Sequence, residues 1–153
     1  MRTSLVLSVS SLVLLVAGSA SAQDASLPPG SGSVTLSAGF SPDPQTVAIT
    51  AGGGIQATMP GCAGWIADAA DYELTYTAGS FPLNIYFVGD GDTTLVINGP
   101  DGSWYCADDT NGVNPGVSFA APMSGVYDIW VGGYAEGSFV PGTLSISEVA
   151  PSW

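Results

Sequence analysis

Short apolar runs recur along this chain, and many of them alternate between the two faces of an extended strand. In one such run, Leu83, Ile85 and Phe87 occupy every second position. A period of two is typical of β-strands, because successive side chains point to opposite faces of a sheet. β-Branched and aromatic residues fill the runs, and Gly, Pro, Asn and Asp separate them. The pattern predicts strands at 34–38, 46–50, 55–59, 72–77, 83–88, 93–98, 104–107, 117–120, 126–131 and 143–147.

Turn residues at close spacing indicate how these strands are arranged. Regular short strands separated by such residues predict an all-β fold, an antiparallel, jelly-roll-like β-sandwich. The best specified turn spans 99–102 with the sequence Gly-Pro-Asp-Gly, which places Pro and Gly where a type I turn prefers them. It predicts a hairpin that joins 93–98 to 104–107. One helical turn is expected, within Cys62–Ala70.

The N-terminus has the form of an export signal. Arg2 is followed by an apolar stretch at 5–16 and by the small residues Ala20 and Ala22. This pattern predicts a secretory signal peptide at 1–22, and therefore a secreted protein, extracellular or periplasmic. The apolar stretch is too short to cross a bilayer comfortably, so no membrane insertion is expected.

Cleavage of that signal defines the remaining organisation. Removing 22 of the 153 residues leaves 131, which is enough for one domain. Residues 23–33 are rich in Ser, Pro and Gly without an apolar period, and they predict a flexible linker. The β-sandwich domain is expected at 34–149, followed by a C-terminal tail at 150–153.

The charge distribution is one-sided. Arg2 is the only basic residue, and the chain has 13 Asp and Glu, for a net charge of −12. Loss of Arg2 with the signal peptide changes the net charge to −13. Such a chain repels nucleic acid and anionic membranes. Because no His, Lys or Arg follows position 22, the usual nucleophilic triads and phosphoryl-transfer sites cannot form, and no enzyme is expected.

The chain contains two cysteines, Cys62 and Cys106. In an exported protein a pair of cysteines predicts a disulfide. A reactive thiol would need a basic neighbour, and a thiolate metal site would need further soft ligands. The sequence supplies neither, so the structural bridge is the expected role.

Strand direction gathers acidic residues at one end of the predicted sandwich. Each reversal sends the chain to the opposite end, so alternate loops share an end. Pairing outward from the 99–102 turn places Asp92 near Asp109, within two residues, and leaves Asp101 at the other end. The loops at the shared end carry the candidate metal ligands Asp68, Asp71, Asp90, Asp92, Asp108 and Asp109.

No cationic side chain is available to neutralise these aspartates. Facing like charges destabilise a strand pair, so the remaining remedies are wide spacing, raised carboxylate pKa values or a bound cation. Hard oxygen ligands on short loops suit Ca2+, which accepts irregular geometry. One interpretation is therefore a calcium site that stabilises this end of the sandwich. The other is a solvated acidic surface that keeps a secreted domain soluble.

Several short motifs occur in a fixed order along the chain. They are Asp71-Tyr72-Glu73-Leu74, Ala78-Gly79, Leu83-Asn84-Ile85, the Asp-Thr-Thr-Leu-Val-Ile run at 92–97, the 99–102 turn, Asp108-Asp109 and the Gly-Val-Tyr-Asp-Ile-Trp-Val run at 125–131. In this order they resemble the bacterial pre-peptidase C-terminal domain, a small β-sandwich often appended to secreted proteases. The resemblance covers roughly Ala67 to Ser147.

This resemblance implies a non-catalytic accessory role for a standalone secreted copy. The family includes calcium-binding modules and matrix- or collagen-binding modules. Asp68 and Asp71 match the acidic positions ahead of the family's Asp-Tyr strand, which contribute to calcium binding in some members. The cysteine pair is not a general mark of the family.

Aromatic residues suggest a second binding mode. Trp65, Trp104, Trp130 and Tyr134 are candidates for a platform that binds sugar rings or peptide. Burial in a core or across a strand pair is the alternative interpretation. An exposed platform would make the protein a carbohydrate- or matrix-binding module with an extracellular polymer or protein as its ligand.

Sheet edges suggest a third function. Without lysine, unpaired edges lack a common protection against edge-to-edge association. Self-association is therefore a further expectation, and the corresponding alternative function is a subunit of a surface layer or filament.

Overall fold

The fold is described over residues 23–153, in a computed structural model. The predicted signal peptide at 1–22 lies outside the described residues. Residues 23–153 contain no apolar helix of membrane-spanning length. They form the strands β1 (Ser33–Ser37), β2 (Gln45–Ala51), β3 (Ile55–Gln56), β4 (Trp65–Ile66), β5 (Tyr72–Thr77), β6 (Leu83–Gly89), β7 (Thr93–Asn98), β8 (Trp104–Ala107), β9 (Gly116–Phe119), β10 (Gly125–Gly133) and β11 (Val140–Ser147).

The strands form two sheets that share one apolar interior. In the first sheet β10 is central, with β5 and then β1 on one side, and β7 and then β8 on the other. β4 and β3 extend this sheet at the end of β10, where Trp65 pairs with Gly133. The second sheet has the order β2-β11-β6-β9. This arrangement confirms the predicted all-β sandwich, with one difference: β1 pairs with β5 in parallel.

Most strands lie where the apolar pattern predicted them. Those at 72–77, 93–98 and 104–107 have the predicted bounds. The helical turn predicted within Cys62–Ala70 is wrong, because Trp65–Ile66 forms β4 instead. β4 pairs with β3 and with the end of β10, and both pairings require extended backbone.

The interior between the sheets is filled by alternate residues of the strands. β10 contributes Tyr127 and Ile129, and β6 contributes Ile85 and Phe87 from the opposite sheet; all four are fully buried. Burying an apolar side chain of this size stabilises a fold by roughly 1.5–3 kcal/mol relative to leaving it exposed. This interior is therefore the main apolar driving force for folding.

The outer face of the first sheet is also covered. Trp130 and Val96 alternate with residues of the interior, yet both are fully buried in a second apolar cluster. The segment 57–70 lies over them and contributes Ile66, which is fully buried too. The indole Nε1 of Trp130 donates a hydrogen bond of 3.3 Å to the carbonyl oxygen of Asp68 in this segment. The central strands of the first sheet are therefore buried on both faces.

Two glycines let the chain pass from β2 in the second sheet to β3 in the first. Gly52 has a φ of +121°, and its N–H donates a hydrogen bond of 2.9 Å to the carbonyl oxygen of Val131. A Cβ atom on Gly53 would lie 2.0 Å from the carbonyl carbon of Ile66. A larger residue at either position would therefore displace the backbone at this crossing.

The segment predicted to be a flexible linker is docked on the first sheet. The N–H of Gly30 donates a hydrogen bond of 2.8 Å to the carbonyl oxygen of Ala70, and the N–H of Ser31 donates one of 2.7 Å to that of Asp71. Ala25 packs against the outer apolar cluster, and Gln23 is buried. The segment predicted as a flexible linker is therefore packed against the domain, and its flexibility stays a prediction. Composition alone did not reveal these tertiary contacts.

The predicted C-terminal tail packs on the second sheet. The ring of Trp153 meets the ring of Tyr86 edge-on, with centroids 5.1 Å apart. Gly116 of β9 lies beneath the indole, where an added Cβ would come within 2.6 Å of it. The tail thus covers the junction of β6 and β9.

The predicted disulfide is confirmed. Cys62 and Cys106 are bonded, with Cα atoms 5.1 Å apart, and the bond joins the covering segment 57–70 to β8. Both cysteines and Trp104 pack against the outer apolar cluster. A structural disulfide is typical of oxidising compartments outside the cytosol.

Replacing both cysteines by alanine is expected to lower the free energy of unfolding by about 2–4 kcal/mol, because the bond restricts a long loop of the unfolded chain. Urea denaturation of the double variant Cys62→Ala/Cys106→Ala measures this loss, and the reduced wild-type protein is the control. A loss smaller than about 0.5 kcal/mol would show that the bond adds no more than an ordinary surface contact.

Candidate metal centre

The topology brings several acidic residues to one end of the first sheet. β5 and β7 both run antiparallel to β10, and β8 runs antiparallel to β7. Asp71 and Asp92, which precede β5 and β7, therefore lie at the same end as Asp108 and Asp109, which follow β8. The prediction that strand direction brings these four aspartates to one end of the sheet is confirmed.

Three of these carboxylates form a cluster. Asp92 precedes β7, and Asp108 and Asp109 follow β8, so the β7–β8 hairpin brings them together. One carboxylate oxygen from each lies within 4.8 Å of the others. The predicted turn at 99–102 closes this hairpin, with a hydrogen bond of 2.9 Å from the N–H of Gly102 to the carbonyl oxygen of Gly99. The turn thereby sets the register that places Asp92 beside Asp109.

Asp108 is the most enclosed member of the cluster. Its Oδ1 is buried and accepts no hydrogen bond from any described residue. Burial raises the pKa of the Asp108 carboxyl, and the charges of Asp109 and Asp92 raise it further. No cationic side chain exists between residues 23 and 153 to offset these charges. The cluster therefore concentrates negative charge without an internal counterion.

The loop after β8 is held by backbone hydrogen bonds. The N–H of Thr110 donates to the carbonyl oxygen of Asp108 at 3.1 Å, and the N–H of Thr93 donates to that of Val113 at 3.3 Å. Asn111 and Asn114 form a bridge across the loop, and the side chain of Asn114 accepts a hydrogen bond of 3.1 Å from the N–H of Gly89. These contacts fix the loop against the start of β7, and with it the backbone that carries Asp108 and Asp109.

Asp71 has a different environment from the cluster. Its Oδ2 accepts a hydrogen bond of 2.7 Å from the N–H of Val131, on the far side of β10 from β7. Asp92 lies level with Tyr134, because its carbonyl oxygen accepts the N–H of that residue. Strand geometry separates the two aspartates by about 10 Å along β10 and about 10 Å across it. Asp71 is therefore a structural acceptor outside the cluster.

Asp68 and Asp90 also lie outside the cluster. The carbonyl oxygen of Asp68 accepts hydrogen bonds from the Trp130 indole and from the N–H of Asp24, while its side chain is exposed. Asp90 is exposed in the loop between β6 and β7. Of the six aspartates predicted as ligands, the structure brings together Asp92, Asp108 and Asp109.

The aromatic residues predicted as a binding platform do not form one. Trp130 is fully buried and stacks at a tilt on Trp104, with ring centroids 5.5 Å apart, so it has no face free for a ligand. Trp104 and Trp65 are half-buried. Tyr134 is 52% exposed and stands next to Asp92. Of the four predicted aromatic residues, Tyr134 is thereby the one that is exposed.

A second carboxylate site was missed by sequence reasoning. Oε1 of the buried Glu148 accepts a hydrogen bond of 2.6 Å from the hydroxyl of Tyr76, and Oε2 accepts one of 2.8 Å from the N–H of Gly39. The N–H of Glu148 donates to Oδ2 of Asp43 at 3.1 Å. Burial and the neighbouring Glu148 raise the pKa of Tyr76. These residues are far apart in sequence, and no motif connects them, so only the fold reveals the site.

The chain is similar to solved structures, but no family model and no curated protein matches it. The structure is similar to the pre-peptidase C-terminal domain of collagenase from Bacillus anthracis, at 17% identity and a TM-score of 0.46, over 79% of this chain and 96% of that domain. It is also similar to a periplasmic inhibitor of g-type lysozyme from Aeromonas hydrophila, at 14% identity and a TM-score of 0.42, over 76% and 96% of the two chains. The first is the domain type that the sequence motifs resemble.

Asp71 gives the protein a testable pH dependence. Burial raises the pKa of its carboxyl to about 6, above the ordinary value of 3.8, although the hydrogen bond from Val131 lowers it. Ionised Asp71 therefore costs the folded state up to about 3 kcal/mol above pH 6; this cost decreases as the pH falls below 6 and disappears below the ordinary pKa of 3.8. The variant Asp71→Asn keeps an acceptor for the Val131 N–H and removes the charge.

We expect Asp71→Asn to be more stable than the wild type by up to about 3 kcal/mol at about pH 7.5, and by no more than about 1 kcal/mol at about pH 4.5. Urea denaturation of both proteins at the two pH values measures the difference. An equal difference at both values would mean that the Asp71 carboxyl does not titrate in this range.

Proposed function

We propose that this chain is a secreted, non-catalytic module that binds Ca2+ through Asp92, Asp108 and Asp109, and that calcium stabilises its fold. The observation that supports the proposal is the convergence of the three carboxylates within 4.8 Å, with Oδ1 of Asp108 buried and unpartnered. The chain from residue 23 onward has no cation of its own to place there.

The chemistry of the donors favours calcium over other metals. Ca2+ takes six to eight oxygen ligands in flexible geometry, whereas Mg2+ requires a nearly regular octahedron. Soft metals prefer thiolate or imidazole, and both cysteines are joined in the disulfide. Asp92 and Asp109 are exposed, so water has access to complete a shell that the three carboxylates begin.

The position of the cluster explains why a bound cation would stabilise the fold. Asp92 belongs to the loop between β6 of the second sheet and β7 of the first, while Asp108 and Asp109 directly follow β8. A cation bound by all three would connect the loop between β6 and β7 to the end of β8, the edge strand of the first sheet. Because the cluster forms only in the folded chain, binding would raise the stability of that form.

The absence of a basic side chain supports the non-catalytic part of the proposal. Beyond position 22, the polar groups are carboxylates, hydroxyls, side-chain amides, the Trp indoles and the backbone. Hydrolysis at the cluster would need a general acid or base beside a bound substrate. No pocket opens in the surface of residues 23–153 to hold one.

Calcium is expected to raise the melting temperature of the wild-type protein by several degrees relative to the chelated protein. Free Ca2+ at a hundredfold excess over its dissociation constant adds about 2.7 kcal/mol to the free energy of unfolding. Differential scanning calorimetry with calcium, with magnesium and with a chelator measures the shift. An equal effect of magnesium would indicate charge screening instead of a calcium site.

The variant Asp108→Asn is expected to lose most of this calcium-dependent shift. In chelator it should be at least as stable as the wild type, because it relieves the repulsion that raises the Asp108 pKa. The matched control is Asp101→Asn, which removes one charge at the other end of the same hairpin and keeps an acceptor for Ser103. If the two variants respond equally to calcium, the proposed ligands are wrong.

A further inference from the structure

β2 forms an open edge of the second sheet. It pairs with β11 without interruption from Gln45 opposite Ile146 to Ala51 opposite Val140. Its other side pairs with no strand of residues 23–153. Alternate N–H and C=O groups of this seven-residue strand therefore point away from the sheet.

This edge lacks the features that normally prevent association. Proteins protect open edges with charged residues, proline, bulges or short strands. β2 has the sequence Gln-Thr-Val-Ala-Ile-Thr-Ala, and no charged residue occurs between Asp43 and Asp68. The register with β11 contains no bulge. β2 is thus a long, unbulged and neutral edge on a strongly anionic molecule, although Asp43 and Pro44 directly precede its first residue.

The other open edges differ from β2. β8 has four residues and is followed directly by the cluster that begins at Asp108, and β3 has only two residues. β9 also has four residues, and Trp153 of the tail packs over its first residue, Gly116. β1 has five residues and begins opposite Glu73. β2 therefore offers a second anionic copy the longest uncharged edge in the described chain.

The sequence of β2 is self-complementary in antiparallel pairing. With Ala48 opposite Ala48 of a second copy, Thr46 faces Thr50 and Val47 faces Ile49. Thr46, Ala48 and Thr50 are exposed, whereas Ile49 is buried and Val47 is half-buried. Threonine pairs and β-branched apolar pairs are favourable across strands. On the outer face, the pairing therefore places threonine opposite threonine. On the inner face, it places Val47 opposite Ile49 and so continues the apolar interior.

We propose that β2 pairs antiparallel with β2 of a second copy of this chain, about a two-fold axis at Ala48, so that the two second sheets join into one. A two-fold interface places the same strand on both sides, which the symmetric sequence around Ala48 satisfies. Completion of the backbone hydrogen bonds and burial of Val47 drive the association. The pairing requires no metal and does not rest on the proposed calcium site.

The first test is the association state of residues 23–153 in chelator, measured by sedimentation equilibrium from micromolar to millimolar concentration. We expect a monomer–dimer equilibrium in the wild type. Ala48→Lys places two ammonium groups opposite each other and should weaken the dimer at least about tenfold. The matched control Thr35→Lys, at the exposed centre of β1, should leave dimerisation within about twofold of the wild type.

The second test addresses the register. In the proposed dimer, residue 46 of one copy faces residue 50 of the other, so Thr46→Lys/Thr50→Glu forms two opposite-charge pairs and should still dimerise. Thr46→Glu/Thr50→Glu forms two like-charge pairs and should remain monomeric. Melting curves of each variant in chelator establish that it is folded.

Three outcomes would overturn the proposal. If the wild type stays monomeric to millimolar concentration, a second copy is not the partner of β2. That result would also hold if β2 instead bound an unrelated extended peptide. Dimers that survive Ala48→Lys but not Thr35→Lys assign association to β1. Equal behaviour of the two double variants at residues 46 and 50 contradicts the two-fold axis at Ala48.

Discussion

The constraint on which the structure depends is the absence of any positive side chain from Gln23 to Trp153. Every carboxylate must be satisfied by N–H and O–H donors, by water or by an external cation. Asp71 accepts a hydrogen bond from the N–H of Val131, and Asp101 accepts one from Ser103. Glu148 accepts hydrogen bonds from Tyr76 and Gly39.

Other carboxylates lie close to a second negative charge. Asp128 is buried opposite Glu73, and burial together with that charge raises the pKa of Asp128. At the Asp92, Asp108 and Asp109 cluster, three carboxylates converge, and the buried Oδ1 of Asp108 accepts no hydrogen bond from a described residue.

The same constraint shapes the rest of the molecule. Ion pairs cannot attach the covering segment to the first sheet, so apolar packing on Trp130, backbone hydrogen bonds and the disulfide hold it there. On so anionic a surface, uncharged stretches are the places where a second copy meets the least repulsion. β2 is the longest of the open edges in the described chain, and it is neutral along its length.

Most of the fold could be predicted from the sequence, because period-two patterns and turn residues are local signals. The 99–102 turn and the strands at 93–98 and 104–107 were sufficient to bring Asp92 close to Asp109. Local signals could not reveal that Trp130 is covered on the outer face or that the segment after Gln23 docks. The first depends on the segment that contains β4, a two-residue strand defined only by its partners, and the second on the carbonyl oxygens of Ala70 and Asp71. Asp71 joined the predicted ligand set because strand direction identifies an end of the sheet, whereas its hydrogen bond to Val131 depends on the register of β10.

The most direct measurement of the central claim is the number of calcium ions bound per folded chain, by isothermal titration calorimetry at physiological ionic strength. A cluster without an internal counterion predicts one saturable site per chain, which is lost in Asp108→Asn and retained in Asp101→Asn. Binding that is absent in the wild type, or weak and unsaturable in all three proteins, would show that water alone satisfies the three carboxylates.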